Sequence, residues 1–204
     1  MSLLKNLIKS SNKEEKFWNW FIKNKNEIIN IPKDHSFIHQ VGSKIKEYNQ
    51  VLTFEVGGKE DGPLEFVISC DGIKNGIPVV EKLADSAPEI EGIKVIKFRQ
   101  PKNESLEIQI GDLKLSAEDI FFQYKIDKNI HLQFFIPEYK SSDQRYGQIT
   151  FILLDNLIGE YYVMTKIGAI DFQKIQSDSD LSKMTRLSQI NYVIKSVMFN
   201  TTLN

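Results

Sequence analysis

The stretch that decides the fold is LEFVISCDGIKNGIPVVEKLADSAPEIEGIKVIKFR, residues 64–99. Residues 64–69 and 93–99 alternate in the manner of half-buried strands. Residues 75–88 between them predict a helix, because Pro78 falls in the first turn, where a missing N–H is tolerated, and the helix ends near Pro88. The segment therefore predicts a strand, a helix that crosses the sheet, and a second strand.

A further strand precedes this segment. Residues 51–57 alternate, and the turn-forming run GGKEDG joins them to residues 64–69, which predicts a hairpin. The order hairpin, helix, strand then recurs from about Phe121 to Ala169, with little identity but a similar pattern. We predict two ββαβ units in a pseudo-twofold relation; the alternative is chance, because this order of elements is common.

The whole sequence predicts an α+β fold, a mainly antiparallel sheet with helices packed on it, preceded by two N-terminal helices. A chain of 204 residues suits a single domain, or two small halves that share a core. We predict a single domain over residues 1–204, with a helical pair at 13–48, a first ββαβ unit at 51–99, a second hairpin-rich ββαβ unit at 100–172, and a tail with a helical segment at 173–204.

Three local predictions concern element boundaries. Residues 13–30 predict one amphipathic helix, and residues 34–48 predict another with Asp34 as its N-cap. Residues 142–159 predict a helix with Gly159 as its stop, and residues 160–172 predict an extended strand.

Composition restricts the classes of function. The net charge is −1, and Arg occurs only at Arg99, Arg145 and Arg186, so we expect no nucleic-acid partner. No apolar run approaches the roughly 18 residues of a membrane helix, so we expect no membrane partner and a cytoplasmic location. One cysteine cannot form an internal disulfide.

That cysteine, Cys70, follows a predicted strand and precedes Asp71 and Gly72. A reactive thiol needs a nearby cation, a histidine or a helix N-terminus, whereas Asp71 opposes thiolate formation. Alternation places Cys70 on the same strand face as Phe66 and Ile68. We therefore interpret Cys70 as a buried packing residue and Asp71–Gly72 as a turn.

The three histidines are candidate metal ligands. His35 and His39 have the i,i+4 spacing that places two imidazoles on one helix face, and His131 lies on a predicted strand. The zinc-protease glutamate is missing from this pattern, and no complete ligand set is evident. We expect two ordinary helix histidines, no metal and no cofactor.

The run FWNWF, residues 17–21, concentrates aromatic residues in the first helix. Phe17 and Phe21 share a face with Trp20 close to it, whereas Trp18 lies about 100° from Phe17 around the helix. Trp18 is therefore a candidate for docking another protein, since Trp is frequent in binding hot spots. The alternative is that Trp18 closes the edge of the helix–sheet packing.

Charged residues supply the catalytic candidates. Asp155 and Glu160 lie near the end of a predicted helix, where two carboxylates could share acid–base work or bind a metal. Arg99, at the end of its strand, could pair with one of them; Asp71 and Glu55 complete the set. The sequence contains no GxGxxG, Walker A, GxSxG, CxxC or HExxH motif.

Several of these segments resemble a group of conserved, uncharacterised bacterial proteins. The likeness rests on FWNWFIKNKNEI, on the stretch from LTFEVG to IKVIKFR, and on LLDNLIGEYYVMTKIGAIDF, and it covers about residues 14–172. The resemblance implies a bacterial, cytosolic, compact protein and assigns no activity.

Two functions remain open from the sequence. The first is a non-catalytic module that binds another protein through the aromatic N-terminal helix. The second is a small-molecule or metal-dependent enzyme whose site lies between the two ββαβ units. The oligomeric state is not predicted.

Overall fold

The computed structural model describes residues 12–58, 61–102, 107–176 and 181–201. The chain forms two compact units, residues 1–98 and 99–204. Parts of the predicted loop 57–62, of the hairpin 105–116 and of the tail 173–204 lie outside the described residues.

The fold is α+β, as predicted. The α-helices are α1 (Lys13–Lys23), α2 (Lys25–Asn30), α3 (Ile38–Tyr48), α4 (Ile77–Asp85), α5 (Arg145–Ile158), α6 (Glu160–Lys166) and α7 (Ile190–Thr201). The strands are β1 (Thr53–Gly57), β2 (Leu64–Ser69), β3 (Ile93–Lys97), β4 (Glu107–Ile110), β5 (Leu113–Ser116), β6 (Phe121–Ile126), β7 (Ile130–Ile136), β8 (Ile167–Lys174) and β9 (Thr185–Arg186). Within the described ranges, no helix is both long and apolar enough to cross a membrane.

The first unit contains a three-stranded sheet of order β1-β2-β3. β1 and β2 form an antiparallel hairpin, with Phe54 opposite Ile68. β2 and β3 are parallel, with Phe66 opposite Val95, and α4 supplies the crossover that two parallel strands require. The predicted ββαβ order of residues 51–99 is confirmed.

The core of this unit is aromatic. Phe17 and Phe21 of α1 are fully buried, and the Phe21 ring meets the Phe66 ring of β2 edge-on, with 4.6 Å between centroids. Burial of such rings is the main stabilising contribution of the helical pair, because each removes a large apolar area from water.

Both N-terminal helices differ from their predicted bounds. The segment predicted as one helix, 13–30, breaks at Asn24, whose side-chain amide donates to Trp20 O at 2.7 Å. Asn competes for backbone partners in this way and so favours helix ends. Asp34 does act as a cap, but of a 3-10 turn over His35–Phe37 that leads into α3.

The second unit contains a four-stranded sheet of order β8-β7-β6-β9 and a separate β4–β5 hairpin. β6 and β7 are antiparallel, and β7 and β8 are parallel. Helices α5 and α6 form the crossover, and Ile149 and Leu153 of α5 are buried against Phe134 of β7 in one core cluster. Each unit therefore has ββαβ order; a pseudo-twofold relation between the two stays a prediction.

The predicted strand at 160–172 is wrong over its first half. Residues 160–166 form α6, and only the remainder is strand. The run EYYVMTK has strand-like composition, but strand propensity depends on packing context, and here the helix buries Met164. Gly159, at φ 86°, separates α6 from α5 in a conformation that favours glycine.

Candidate functional site

An open groove of about 400 Å³ runs beside α1 and α3 in the first unit. Its lining residues are Trp20, His39, Gln40, Ser43, Lys44 and Glu47. α1 supplies the one aromatic member and α3 supplies the polar ones. The groove therefore combines an apolar surface with hydrogen-bonding and charged groups, as ligand-binding grooves do.

Trp20 is half-buried, and neighbouring groups hold its indole in place. The ring stacks on Phe37, with 6.1 Å between centroids and 12° between planes. Lys44 Nζ lies 6.0 Å from the Trp20 ring centroid, at the limit of a cation–π contact. An indole fixed on one side by stacking loses little side-chain entropy when a ligand covers the other side.

The polar members of the groove are partly paired with each other. Lys44 Nζ lies 2.7 Å from Glu47 Oε2, one turn further along α3. Ser43 Oγ donates to His39 O at 2.9 Å, which leaves the Ser43 oxygen as an acceptor. His39 and Gln40 are exposed at the groove edge.

Trp18 does not contribute to this groove. Its side chain is only 2% exposed, and its Nε1–H donates to Leu83 O at 3.0 Å and to Ser86 Oγ at 3.1 Å. The docking role predicted for Trp18 requires an exposed indole, and the structure instead places this residue in the core. The alternative, that Trp18 closes the helix packing, describes what is observed: Trp18 ties α1 to the end of α4.

A second polar cluster joins three helices of the first unit. Glu14 of α1 is 4% exposed; its Oε1 accepts a 2.6 Å hydrogen bond from the Tyr48 hydroxyl and lies 3.0 Å from Lys82 Nζ. The Tyr48 hydrogen bond is the main reason that the pKa of Glu14 lies below its ordinary value, and Lys82 adds to it. Burial and the Glu14 carboxylate together raise the pKa of Tyr48. These contacts cross-link α1, α3 and α4.

Three of the five predicted catalytic residues meet in the second unit. Arg99 Nη1 lies 3.8 Å from Asp155 Oδ2 and 3.9 Å from Glu160 Oε2. Two further hydrogen bonds join these residues: the Arg99 backbone N–H donates to the Glu160 carboxylate oxygen Oε2 at 3.1 Å, and the Glu160 backbone N–H donates to Arg99 O at 3.0 Å. Glu160 is fully buried. This arrangement fastens the segment after Phe98 to the α5–α6 junction.

The fourth candidate, Asp71, belongs to the first unit. It has φ 49° and precedes Gly72 at φ 75°, so the two residues form a left-handed turn. The Asp71 N–H donates to Ser69 Oγ at 3.1 Å. Cys70, immediately before it, is fully buried, which confirms the packing role predicted for that residue. Glu55, the fifth candidate, lies on β1 opposite Val67.

The histidines occupy separate positions. His35 lies in the 3-10 turn and His39 in α3. His131 of β7 accepts the Ala169 N–H at Nδ1, 3.0 Å away, and its Nε2 lies 3.0 Å from Asp127 Oδ2, poorly aligned for a hydrogen bond. Among the residues that the structure describes, no three His, Cys, Asp or Glu side chains are grouped as metal ligands.

Comparison with known proteins returned nothing similar to this chain: no family model, curated protein or solved structure matches it. The resemblance to a group of bacterial proteins therefore stays a prediction.

Sequence analysis missed the members of the groove other than Trp20 and His39. The signal was present in α3, where the polar residues Gln40, Ser43, Lys44 and Glu47 recur at helical spacing. It could not be interpreted before the pairing of α1 with α3 was known, because many exposed helix faces show the same pattern. The Glu14–Tyr48 pair was missed for the same reason.

Proposed function

We propose that this protein is a non-catalytic binding module that accepts a segment of another protein in the groove beside α1 and α3. The observation that carries the proposal is Trp20, an aromatic side chain held by stacking on Phe37 and turned toward an open groove. The proposal keeps the predicted use of the aromatic N-terminal helix and replaces Trp18 with Trp20 as the anchor.

The dimensions of the groove support a short peptide segment as its occupant. A volume of about 400 Å³ lies at the lower end of the range for ligand sites, which suits a few side chains rather than a large cofactor. Trp is among the residues that contribute most to binding when a partner covers it. Ser43, Gln40 and His39 add hydrogen-bonding groups around it.

The convergence of Arg99, Asp155 and Glu160 favours a second candidate, a small-molecule or metal-dependent enzyme. Two carboxylates near one guanidinium can share a proton or hold a polar substrate. Against this, Glu160 already accepts the Arg99 N–H and is fully buried, which is the geometry of a structural tie. If the enzyme candidate holds, Asp155→Asn abolishes turnover of a substrate found by screening and leaves the melting temperature unchanged; full activity in this variant would remove the candidate.

The binding proposal is tested by selecting random peptides displayed on phage against the whole protein. Selected peptides are then measured with the variant Ser43→Trp, in which an exposed Ser of the groove lining becomes a bulky side chain. The matched control is Ser142→Trp, which places the same side chain at an exposed position of the second unit.

The proposal expects peptides that bind the wild type and the Ser142→Trp control equally and lose at least about tenfold in affinity for Ser43→Trp. Both variants should melt within a few degrees of the wild type, since exposed substitutions have small effects on stability. Failure to select any peptide, or equal binding to both variants, would contradict the proposal.

A further inference from the structure

We infer that the segment bound in the groove is acidic, with an apolar or aromatic residue seated on Trp20 and carboxylates on either side of it. This inference rests on the proposed function, which it extends from the location of the site to the chemistry of its partner.

The first argument is the charge along α1 on the side of Trp20. Lys16 precedes Trp20 by four residues and Lys23 follows it by three, and these spacings place all three side chains on one helix face. Both lysines are exposed. The long side chains of Lys16 and Lys23, one on each side of Trp20 along α1, can therefore both reach a ligand that covers the indole.

The groove lining adds further positive or protonatable groups. Lys44 Nζ lies beside the Trp20 ring, and His39 is exposed at the groove edge. Glu47 is the acidic member of the lining, and its carboxylate is 2.7 Å from Lys44 Nζ. The Lys44–Glu47 pair is neutral as a whole, so the net positive charge beside the groove comes from Lys16 and Lys23.

The two carboxylates of α1, and that of Asp34 after α2, are engaged elsewhere or face another direction. Glu14 is buried and held by Tyr48 and Lys82. Glu15 lies about 140° from Trp20 around the helix, so it faces away from the groove side. Asp34 is used as the cap of the 3-10 turn, where its carboxylate accepts the Ser36 N–H.

The charge of the helical region differs in sign from that of the chain. Residues 12–49 contain seven Lys and five Asp or Glu, whereas the whole chain contains 26 basic and 27 acidic residues. The excess positive charge thus lies in the helices that form the groove. Complementary charge raises the rate of association and selects among partners that share the same apolar anchor.

A single-stranded nucleic acid is the other anionic polymer that stacks on aromatic side chains. Proteins that bind it present several aromatic platforms in a row along a basic channel, and Arg commonly contributes. The groove offers one half-buried indole, and residues 12–49 contain no Arg. An acidic protein segment fits these observations better.

The test uses three synthetic peptides of equal length that share the same Phe residues and carry Glu, Gln or Lys at all other positions, together with an oligothymidylate. Binding to the whole protein is measured by fluorescence anisotropy at low and physiological salt. The charge-reversal variant is Lys16→Glu with Lys23→Glu. The matched control is Lys125→Glu with Lys128→Glu, at exposed positions of β6 and of the turn that follows it.

The inference expects the Glu peptide to bind at least about tenfold more tightly than the Lys peptide, with an affinity that falls as salt is added. Reversal at Lys16 and Lys23 should abolish this preference, and reversal at the control positions should leave most of it.

Equal binding of all three peptides, lost in Ser43→Trp, would overturn the acidic partner and leave the groove as the binding site. Preferred binding of the oligothymidylate would overturn it in favour of nucleic acid. The acidic partner would also be overturned if the Glu peptide bound but neither Ser43→Trp nor the charge reversal affected its binding, or if no peptide bound at all. The phage selection decides separately whether the groove binds peptides.

Discussion

The Tyr48 hydroxyl donates a 2.6 Å hydrogen bond to Oε1 of Glu14, a carboxylate that is almost fully withdrawn from water. Glu14 opens α1 and Tyr48 ends α3, so the bond joins the two helices that form the groove. Hydrogen bonds to charged groups are stronger than neutral ones, and leaving a buried charge without its partner is costly. The position of α3 beside Trp20 therefore depends on this pair.

Removing the hydroxyl tests that dependence. Tyr48→Phe should lower the free energy of unfolding by about 1–3 kcal/mol, because the Glu14 carboxylate loses its closest donor. A double-mutant cycle with Glu14→Gln, measured by urea denaturation, isolates the pair from the separate effects of each substitution. A coupling energy of zero would show that the two side chains do not stabilise each other.

The same pair gives the stability of the protein a pH dependence. The folded-state pKa of Glu14 lies below its ordinary value of 4.5, mainly because Tyr48 donates to the charged form. The resulting stabilisation is fully present above 4.5 and is lost as the pH falls through the lower folded-state pKa. The wild type should therefore lose stability on acidification faster than Glu14→Gln, which cannot titrate at this position. Parallel pH curves for the two proteins would contradict this assignment.

The two tryptophans should separate stability from binding. Trp18→Ala removes a buried ring and the hydrogen bonds to Leu83 and Ser86, so it should destabilise the fold by about 3–5 kcal/mol. Trp20→Ala removes a half-buried ring. It should lower the stability of the fold by well under half as much as Trp18→Ala does, and it should abolish peptide binding. Thermal melting and anisotropy on both variants measure this. A large loss of stability in Trp20→Ala with binding intact would reverse the roles given to the two residues.

Cys70 should be chemically inert in the folded protein. The thiol is fully buried, and Gly76 covers it so closely that an added Cβ there would come within 2.5 Å of Cys70 Cβ. Ellman's reagent should react slowly with the native protein and rapidly after unfolding, since reaction requires an accessible thiolate. Gly76→Ala forces the covering turn away and should accelerate the reaction. Fast labelling of the native wild type would show that the thiol is accessible.

The sequence predicted correctly those parts of the fold in which hydrophobic alternation and proline positions favour the same elements as the packing does. Residues 64–99 combine alternation, an N-terminal Pro and a terminating Pro, and the structure contains the predicted strand, helix and strand. The prediction failed at residues 160–166, where aromatic and β-branched residues favour a strand but the packing of Met164 and the turn at Gly159 produce a helix.

The candidate site was predictable only in part, because it depends on which helices meet. The grouping of Asp155 with Glu160 followed from their closeness in sequence, and the charge of Arg99 suggested a pair that the structure contains. For Trp18 and Trp20, the helical angle alone could not decide which indole faces the core. The Trp18 indole faces the core because its N–H donates to Leu83 O and Ser86 Oγ, which lie more than sixty residues away in the sequence.

The most direct test of the account is to map where a peptide binds. Amide chemical shifts of the isotopically labelled protein are followed as the Glu-rich peptide is added. The account predicts changes concentrated at the Trp20 indole, Ser43 and Lys44, with little change in the second unit. Changes centred on another exposed surface, such as that around Tyr192, which is 77% exposed, would contradict it.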